Sequence, residues 1–436
     1  MAGFKTIHVP MWDQMQVFCK HIADHQIRLV LHFNGTLDEK TLRKAVQVTA
    51  ENNPIVFSHY VEGKKAVLWQ FSEMNVDEIY SFQECSEPEQ LLQEIILKPI
   101  HTFAGPQLAL SLIRAETDIL ILNCNHAISD AAGVKDFMYQ LAENYSRLSR
   151  NEPVEQSAYT PARSLKTLSK KLGVKEKLSV LKVMLSGKKD APTFRRTMEL
   201  DKLQNPGFTT YTIEPSEFKK FWEFGQQHSA TVNDLLLTVY YYTLKKMLPN
   251  TNKTNRITYS SDLRRYLDKA DYDVLSNFSA IHNIDVDNSI NDFAGLLKEI
   301  STTTRNRKQM KYSLADFPAM AALFKTIPYS KLKGIFHKEF DKIKEGKSDS
   351  SPSLSNTGII EETNVAFDRL TPTQAYMLGG INHPGLLQLA ASTYGHHLTL
   401  SIGSYFSGKN EVFIADFMEE LKTTLRQEVL QSQGIK

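Results

Sequence analysis

The chain has 436 residues, of which 42% are hydrophobic and 23% are charged, and its formal net charge is +2. This length exceeds what one hydrophobic core ordinarily supports and favours two domains, while the composition is that of a globular protein. The near-neutral charge excludes the strongly basic field with which nucleic-acid-binding proteins attract phosphates.

The sequence shows no sign of secretion or of membrane insertion. The N-terminal residues lack the apolar core of a signal peptide, and no uncharged apolar run approaches the length of a membrane span. Cys19, Cys85 and Cys124 lie far apart and show neither a metal-binding spacing nor a disulfide framework. We therefore expect a cytoplasmic protein in a reducing compartment.

The first half of the chain predicts a mixed α/β fold. Asp38 can cap a helix, and the segment 119–122 is apolar on both faces, as expected of a central strand covered on both sides. An amphipathic helix is predicted to follow it. Strands are predicted over residues 27–33, 55–61, 66–71, 107–114 and 119–122, and the amphipathic helix over 134–148.

Residues 151–193 differ from both flanks, because they are rich in lysine and bounded by prolines. They predict a basic, partly helical crossover between two domains. A run of charge of this kind is usually a solvated face. The alternative is a surface for an acidic partner, such as coenzyme A phosphates, an acidic carrier protein or an anionic membrane.

The second half also mixes strands and helices. Thr231 and Asp234 have nearly the pattern of a capping box, and the helix after them is apolar almost all round. Helices are predicted over residues 215–227, 232–247, 291–308 and 412–429, and strands over 211–213, 256–261, 278–286, 386–392 and 397–405.

A His-x-x-x-Asp motif, His126 to Asp130, separates the apolar strand from the amphipathic helix. A histidine at the end of a buried strand can act as a general base, because its ordinary pKa is near neutrality. The alternative is a core histidine bonded to Asp130. The same spacing recurs at His337 and Asp341, where lysines on a polar helix face predict a simple surface pair.

Two further histidines have a spacing that metal ligands can use. His21 and His25 are four residues apart, which would place them on one face of a helix. No third ligand is nearby, so we predict a solvated helix face and no metal site.

Several segments in sequence order resemble the chloramphenicol acetyltransferase-like superfamily. That superfamily includes condensation domains of peptide synthetases, plant BAHD acyltransferases, polyketide-associated acyltransferases and wax ester synthases, and its signature is His-x-x-x-Asp after a central strand. The motif at His126 matches this signature. The supporting matches are residues 27–45, 105–108, 230–236, 262–264 and 275–278.

The sequence departs from the condensation domains in ways that matter. Asn125 stands where they usually carry a first histidine, Ala131 replaces the glycine after the aspartate, and Ser276 stands where glycine is commoner. The Asp-Phe-Gly-Trp-Gly segment of the plant enzymes is missing. These departures favour a stand-alone acyltransferase over an enzyme that forms peptide bonds.

The resemblance implies an α/β fold with mixed sheets, in which two chloramphenicol acetyltransferase-like subdomains lie side by side with a tunnel between them. We expect the N-terminal subdomain to span residues 1–190, with the basic crossover at 151–193, and the C-terminal subdomain to span residues 194–436. His126 is then the base that moves an acyl group from a thioester directly to an alcohol or amine. Cys124 is the alternative nucleophile, although a buried structural thiol is the simpler interpretation.

The resemblance also implies roles for other residues around the motif. Asp130 would pair with Arg264 in a bidentate structural ion pair, with Arg265 as the alternative partner. The backbone amide of Gly133 and the side chains of Asn277 and Ser401 are candidates to contact the oxyanion or the substrate.

No permanently bound cofactor is implied, since acyl-coenzyme A or a phosphopantetheinyl carrier protein would serve as a co-substrate. A monomer without nucleic-acid partners is expected. Two alternatives remain open at this point. One is a stand-alone condensation enzyme that forms an amide bond in a nonribosomal peptide pathway, and the other is a non-catalytic relative that binds acyl carriers.

Overall fold

Helices cover three β-sheets in this protein. The computed structural model describes residues 5–63, 66–154, 163, 168, 193–194, 203–248, 252–309 and 317–431. The strands are β1 (Thr6–His8), β2 (Gln26–His32), β3 (Ser58–Glu62), β4 (Val67–Phe71), β5 (Tyr80–Glu84), β6 (Leu108–Arg114), β7 (Asp118–Asn125), β8 (Pro206–Ile213), β9 (Thr254–Asp262), β10 (Ser279–Asp287), β11 (Ser353–Ile359), β12 (Gln374–Leu378), β13 (Gln388–Tyr394) and β14 (His397–Tyr405). The α-helices are α1 (Met11–Cys19), α2 (Glu39–Asn52), α3 (Pro88–Leu97), α4 (Ala131–Ser149), α5 (Pro215–Gln227), α6 (Val232–Met247), α7 (Phe293–Gln309), α8 (Phe317–Thr326), α9 (Tyr329–Lys344) and α10 (Gly408–Leu425).

The first large sheet is mixed and has the order β12-β2-β7-β6-β5. Its central strand β7 is buried at every position, as the apolar run predicted, and it pairs antiparallel with β2 and β6. Leu120 and Leu122 pack on the face covered by α2 and α4, whereas Ile119 and Ile121 pack on the face covered by α3. Apolar packing on both faces holds β7 in place, and the motif begins directly after its last residue.

The second large sheet has the order β10-β9-β11-β13-β14-β8 and contains both parallel and antiparallel pairs. Its core includes residues from α6 and α10. The predicted capping box forms, because the Thr231 hydroxyl accepts from the Asp234 amide and the Asp234 carboxylate accepts from the Thr231 amide. The prediction of a mixed α/β fold with two subdomains is confirmed.

One strand from the second half of the chain completes the sheet of the first half. β12 pairs antiparallel with β2, from Gln374 opposite His32 to Leu378 opposite Arg28. The chain then returns to the second sheet through β13. The boundary near residues 190–194 stays a prediction, since residues 195–202 and most of the crossover at 151–193 lie outside the described residues.

A few local expectations differ from the structure. Residues 55–57 belong to a 3-10 turn, Pro54–Phe57, so the first strand of the predicted hairpin begins only at Ser58. Pro54 explains the difference, because its fixed φ suits the start of a helical turn and interrupts a strand. Among the described residues, no helix combines the length and the apolarity needed to cross a bilayer.

Candidate active site

The motif lies where β7 ends and α4 begins. His126 directly follows the last residue of β7, and Asp130 is the N-cap of α4. The Asp130 carboxylate accepts a hydrogen bond from the Gly133 amide at 3.1 Å, which caps the helix in the usual way. The buried strand and the capped helix therefore fix both ends of the loop that carries His126.

Asp130 forms the predicted ion pair with Arg264 across the two halves of the chain. Nη1 of Arg264 lies 2.8 and 2.9 Å from the two carboxylate oxygens, and both side chains are almost fully buried. The carboxylate is bidentate as predicted, but both of its oxygens contact the same nitrogen, while Nη2 donates to the Ser276 carbonyl at 2.7 Å. The alternative partner Arg265 instead lies over the ring of Tyr266.

The Asp130 carboxylate is ionised and has several donors. Burial alone raises its pKa, but Arg264 and the amides of Phe278 and Gly133 outweigh burial and hold the pKa below its ordinary value. The Phe278 amide donates at 2.7 Å and the Ser279 hydroxyl at 3.3 Å. Asp130 therefore ties the start of β10 to the motif loop, and it acts on structure.

The orientation of the His126 ring follows from its contact with Asn277. Nδ1 of His126 lies 3.2 Å from Oδ1 of Asn277. The amide nitrogen of Asn277 lies 2.9 Å from Oδ1 of Asp13 and 3.0 and 3.1 Å from the carbonyls of His126 and Ala127. These three groups only accept when Asp13 is ionised, so the nitrogen must face them and Oδ1 must face the ring.

The contact with Asn277 assigns the tautomer of His126. Because Oδ1 of Asn277 can only accept, Nδ1 of His126 carries the hydrogen and Nε2 keeps its lone pair. Burial lowers the pKa of His126, although Asp130 and nearby hydrogen-bond acceptors oppose the shift. The ring is therefore neutral at neutral pH, with a basic nitrogen that Asn277 does not occupy.

A second buried ion pair, which local sequence patterns do not predict, supports Asn277. The Asp13 carboxylate accepts from Nη2 of Arg163 at 2.7 Å and from the indole of Trp69 at 3.0 Å. The same Nη2 donates to the Ile128 carbonyl at 2.8 Å. The signal in the sequence for this pair was Asp13 itself, a charged residue on the apolar face of α1, because a buried aspartate requires a partner.

Another imidazole, that of His25, also lies at the site. The rings of His25 and His126 stack with centroids 4.7 Å apart and planes 9° from parallel. The prediction of a solvated helix face carrying His21 and His25 is wrong, because α1 ends at Cys19 and His25 precedes β2 with a left-handed φ of 54°. Separation in sequence hid this contact, since about a hundred residues lie between two rings that touch.

The two predicted oxyanion donors closest to the motif are already engaged. The Gly133 amide donates to Asp130, and the Asn277 amide donates to Asp13 and the loop carbonyls, so both predictions of a donor role need correction. Ser401 is buried on β14, where its backbone pairs with Ala390 and Thr210. Its role as a substrate contact stays a prediction.

Cys124 and Asn125 point to structural roles. Cys124 is fully buried in the core of the first sheet, and burial raises the pKa of its thiol. The Asn125 amide donates to Thr102 at 2.8 Å and to Gln107 at 2.5 Å, while its oxygen accepts from the Ala127 amide at 3.1 Å. Asn125 therefore shapes the motif loop from beneath.

The second His-x-x-x-Asp segment lies elsewhere. His337 and Asp341 lie on α9 as predicted, but the prediction that they pair with each other is wrong. Asp341 accepts from His21 at 2.6 Å, and the His337 ring stacks on the His21 ring with centroids 4.1 Å apart. These residues join α9 to the segment after α1 and have no described contact with His126.

The contacts of Gly133 give a first prediction. A Cβ at residue 133 would lie 2.5 Å from the carbonyl oxygen of Val274 and would also collide with the Ser129 hydroxyl. We expect Gly133→Ala to lower the free energy of unfolding by about 1–3 kcal/mol, the range typical of overpacking. Urea denaturation measures it.

Gly334→Ala is the matched control. Gly334 lies in α9, and a Cβ added there would have no heavy atom of another residue within 4 Å, apart from its own helix backbone and chain neighbours. Alanine at this position should raise stability by about 0.5–1 kcal/mol, because glycine loses more backbone freedom on folding. An unchanged midpoint for Gly133→Ala would show that α4 and the loop at Val274 are not packed as described.

Comparisons with known proteins identify the family of the chain and agree with its fold. The model of the condensation domain family matches residues 14–255 of the chain. The first condensation domain of the CDA synthetase superposes with a TM-score of 0.70 at 12% identity, covering 98% of each chain. The trichothecene 15-O-acetyltransferase TRI3 from Fusarium sporotrichioides superposes with a TM-score of 0.73 at 11% identity, covering 98% of this chain and 95% of the other.

A third structure extends the comparison. The SgcC5 protein from Streptomyces globisporus superposes with a TM-score of 0.66 at 14% identity, covering 97% of this chain and 100% of its own. At such identities the likeness to these structures shows the fold alone. The comparison with curated proteins found no match.

The fold is that of the two-subdomain, chloramphenicol acetyltransferase-like proteins. More specifically, the chain belongs to the condensation domain family, because the family model spans more than half of its residues. It is thus an enzyme of the kind that transfers acyl groups or forms amides.

Proposed function

We propose that this enzyme transfers an acyl group from a thioester, carried by coenzyme A or by a carrier protein, to an alcohol or amine. The observation that carries the proposal is the state of His126. Asn277 occupies Nδ1, the ring is neutral, and Nε2 keeps a lone pair at the end of a buried strand. A neutral, oriented imidazole is the group that general-base catalysis requires.

The reaction then needs one base. Nε2 of His126 removes the proton from the acceptor as its oxygen or nitrogen attacks the thioester carbonyl. The tetrahedral intermediate collapses by breaking the carbon–sulfur bond, and the thiolate leaves. His126 returns the proton to that thiolate, so the enzyme ends in its starting state.

A covalent acyl-enzyme is not part of this proposal. Cys124 is the thiol nearest to the motif in sequence, but it lies in the apolar core and its pKa is raised by burial. A nucleophilic cysteine needs the opposite, a lowered pKa and access to solvent. Direct transfer from the thioester to the acceptor fits these surroundings better.

The family match favours amide formation as a second candidate. The condensation domain model covers the segment that includes the motif. The change at Asn125 does not remove a base from the site, because the Asn125 side chain binds Thr102 and Gln107 beneath the loop. The acceptor decides between the two candidates, since an amine gives an amide and a hydroxyl gives an ester.

The partners follow from the chemistry. An acyl-coenzyme A or a phosphopantetheinyl carrier would be the donor and no resident cofactor would be needed, while a monomer is the proposed state. We also propose a reducing, cytoplasmic setting, which the three free cysteines support. The basic crossover, for which a surface for an acidic partner was the alternative to a solvated face, lies almost wholly outside the described residues.

Mass spectrometry with pooled substrates tests the function. The enzyme is incubated with acyl thioesters of increasing chain length and with alcohols and amines, and the acylated products are identified by mass. We expect thioester consumption with formation of an ester or amide. If no thioester is consumed beyond the level of His126→Ala, the non-catalytic, carrier-binding relative becomes the better description.

The pKa of His126 gives a prediction for pH dependence. Burial lowers this pKa below 6.5, although Asp130 opposes the shift, and the base works only when it is unprotonated. We therefore expect kcat/KM to be constant above about pH 6.5 and to fall at lower pH, where the ring becomes protonated. A pH profile between about 5 and 8.5 measures this dependence, and an inflection well above 6.5 would contradict the lowered pKa of His126.

A further inference from the structure

His25 makes three contacts that connect it with the catalytic loop. Its ring stacks on His126, with centroids 4.7 Å apart and planes 9° from parallel. Its carbonyl accepts a hydrogen bond from the His126 amide at 3.1 Å. Its Nε2 meets Oε1 of Gln16, which gives the ring a polar partner of its own.

The backbone at His25 adopts a conformation that histidine rarely uses. Its φ is 54°, in the left-handed region that favours glycine and asparagine. The preceding residue is anchored, because the Asp24 carboxylate binds Arg28 and accepts from the Ile381 amide at 2.7 Å. A non-glycine residue held in this region points to a functional hypothesis.

Two side chains contact different parts of the His126 ring. Asn277 occupies Nδ1, and His25 covers one face of the ring. Because the two rings are nearly parallel, a rotation of His126 about its Cβ–Cγ bond would drive it into His25. The edge that carries Nε2 is the part that neither contact uses.

We propose that His25 is a positioning residue for acyl transfer, which uses its ring to hold the His126 imidazole with Nε2 directed at the acceptor. This inference rests on the proposed function, in which His126 is the base. Burial, followed by repulsion from His126 when that ring is protonated, keeps the pKa of His25 well below its ordinary range, so His25 stays neutral.

Substitution of His25 separates positioning from stability. Asparagine accepts a left-handed backbone well, so His25→Asn should keep or raise the melting temperature. It removes the ring, and we expect kcat to fall by about 10- to 100-fold, as for a misplaced catalytic group, with KM within about twofold of wild type. His25→Phe restores an aromatic face without nitrogens and should recover most of kcat.

His396 offers the matched control. It is also a histidine with a left-handed backbone, at φ 63°, but it is exposed in the turn between β13 and β14. His396→Asn should relieve the same kind of strain without a change in kcat. Wild-type kcat in His25→Asn, or no recovery in His25→Phe, would overturn the positioning role.

A spectroscopic measurement keeps this test independent of activity. The ¹⁵N chemical shifts of the His126 ring report its tautomer in the substrate-free protein. We expect one Nδ1–H tautomer in wild type and in His25→Phe, where the stacked ring holds Nδ1 against Asn277, and a mixture of tautomers in His25→Asn, where the imidazole can rotate away from that acceptor. The same single tautomer in all three proteins would overturn the inference about His25 even if the enzyme transfers acyl groups. A wild-type protein that is inactive on every substrate would refute the proposed function instead.

Discussion

Replacement of His126 with alanine is expected to reduce kcat by about 10²- to 10⁴-fold, the contribution typical of a general base. The fold should persist, because the side chain is only partly buried and Asp130, Asn277 and Asp13 keep their other partners. Thiol release from the acyl thioester measures turnover, and the melting temperature reports the fold. Turnover near the wild-type rate would refute the mechanism.

The chain supplies its own control for this experiment. His337 has an aspartate at the same spacing as His126, but it stacks on His21 and lies on α9. His337→Ala should leave kcat unchanged. A loss of turnover in both variants would indicate a general effect on folding, and a loss in His337→Ala alone would place the base at the other motif.

Replacement of Asp130 with alanine is expected to lower the free energy of unfolding by about 3–5 kcal/mol and to reduce kcat as well. This range is typical when one partner of a buried ion pair is removed, because the other charge stays buried and uncompensated. Arg264 would remain almost fully buried with the partly exposed Asp262 as an anionic neighbour, and the Phe278 and Gly133 amides would each lose an acceptor. Urea denaturation at neutral pH measures the change.

Asp262→Ala is the control for Asp130→Ala. Asp262 lies 3.3 Å from Nη1 of the same arginine, but its side chain is 45% exposed, so its removal should lower stability by about 1 kcal/mol or less. Equal effects of the two variants would contradict a buried ion pair at Asp130.

The stability that the Asp130 ion pair contributes should also vanish in acid. Because the folded pKa of Asp130 lies below the ordinary value of 3.8, the stabilisation is present above about pH 3.8 and is lost as the pH falls through the folded pKa.

Local sequence predicted the part of the site that is local in the chain. The apolar run before His126 predicted β7, because a strand covered on both faces is apolar at every position. The amphipathic pattern after Asp130 predicted α4, because a helix covered on one face repeats its apolar residues at helical spacing. The contact of Arg264 with Asp130 came from the family resemblance. Neither composition nor spacing relates two residues 134 positions apart.

The remaining contacts could not be predicted from patterns along the chain. Asp13, Arg163 and Asn277 meet beneath the motif although each lies in a different segment. The sequence alone left the Gly133 and Asn277 amides as candidate donors to the oxyanion. Only their acceptors in the structure show that both are engaged. Contacts of this kind depend on tertiary packing, which overrides any local preference.

β12 belongs to the second half of the chain but completes the sheet of the first half, and this restricts how the gene of this enzyme can be divided. A fragment that ends near residue 194 would keep β2, β7, β6 and β5 of the first sheet and leave the outer edge of β2 unpaired. An apolar strand with a free edge is a template for aggregation. Chimeras with relatives should therefore be joined so that β2 and β12 come from the same parent, because a crossover in the middle of the gene would pair strands that did not evolve together.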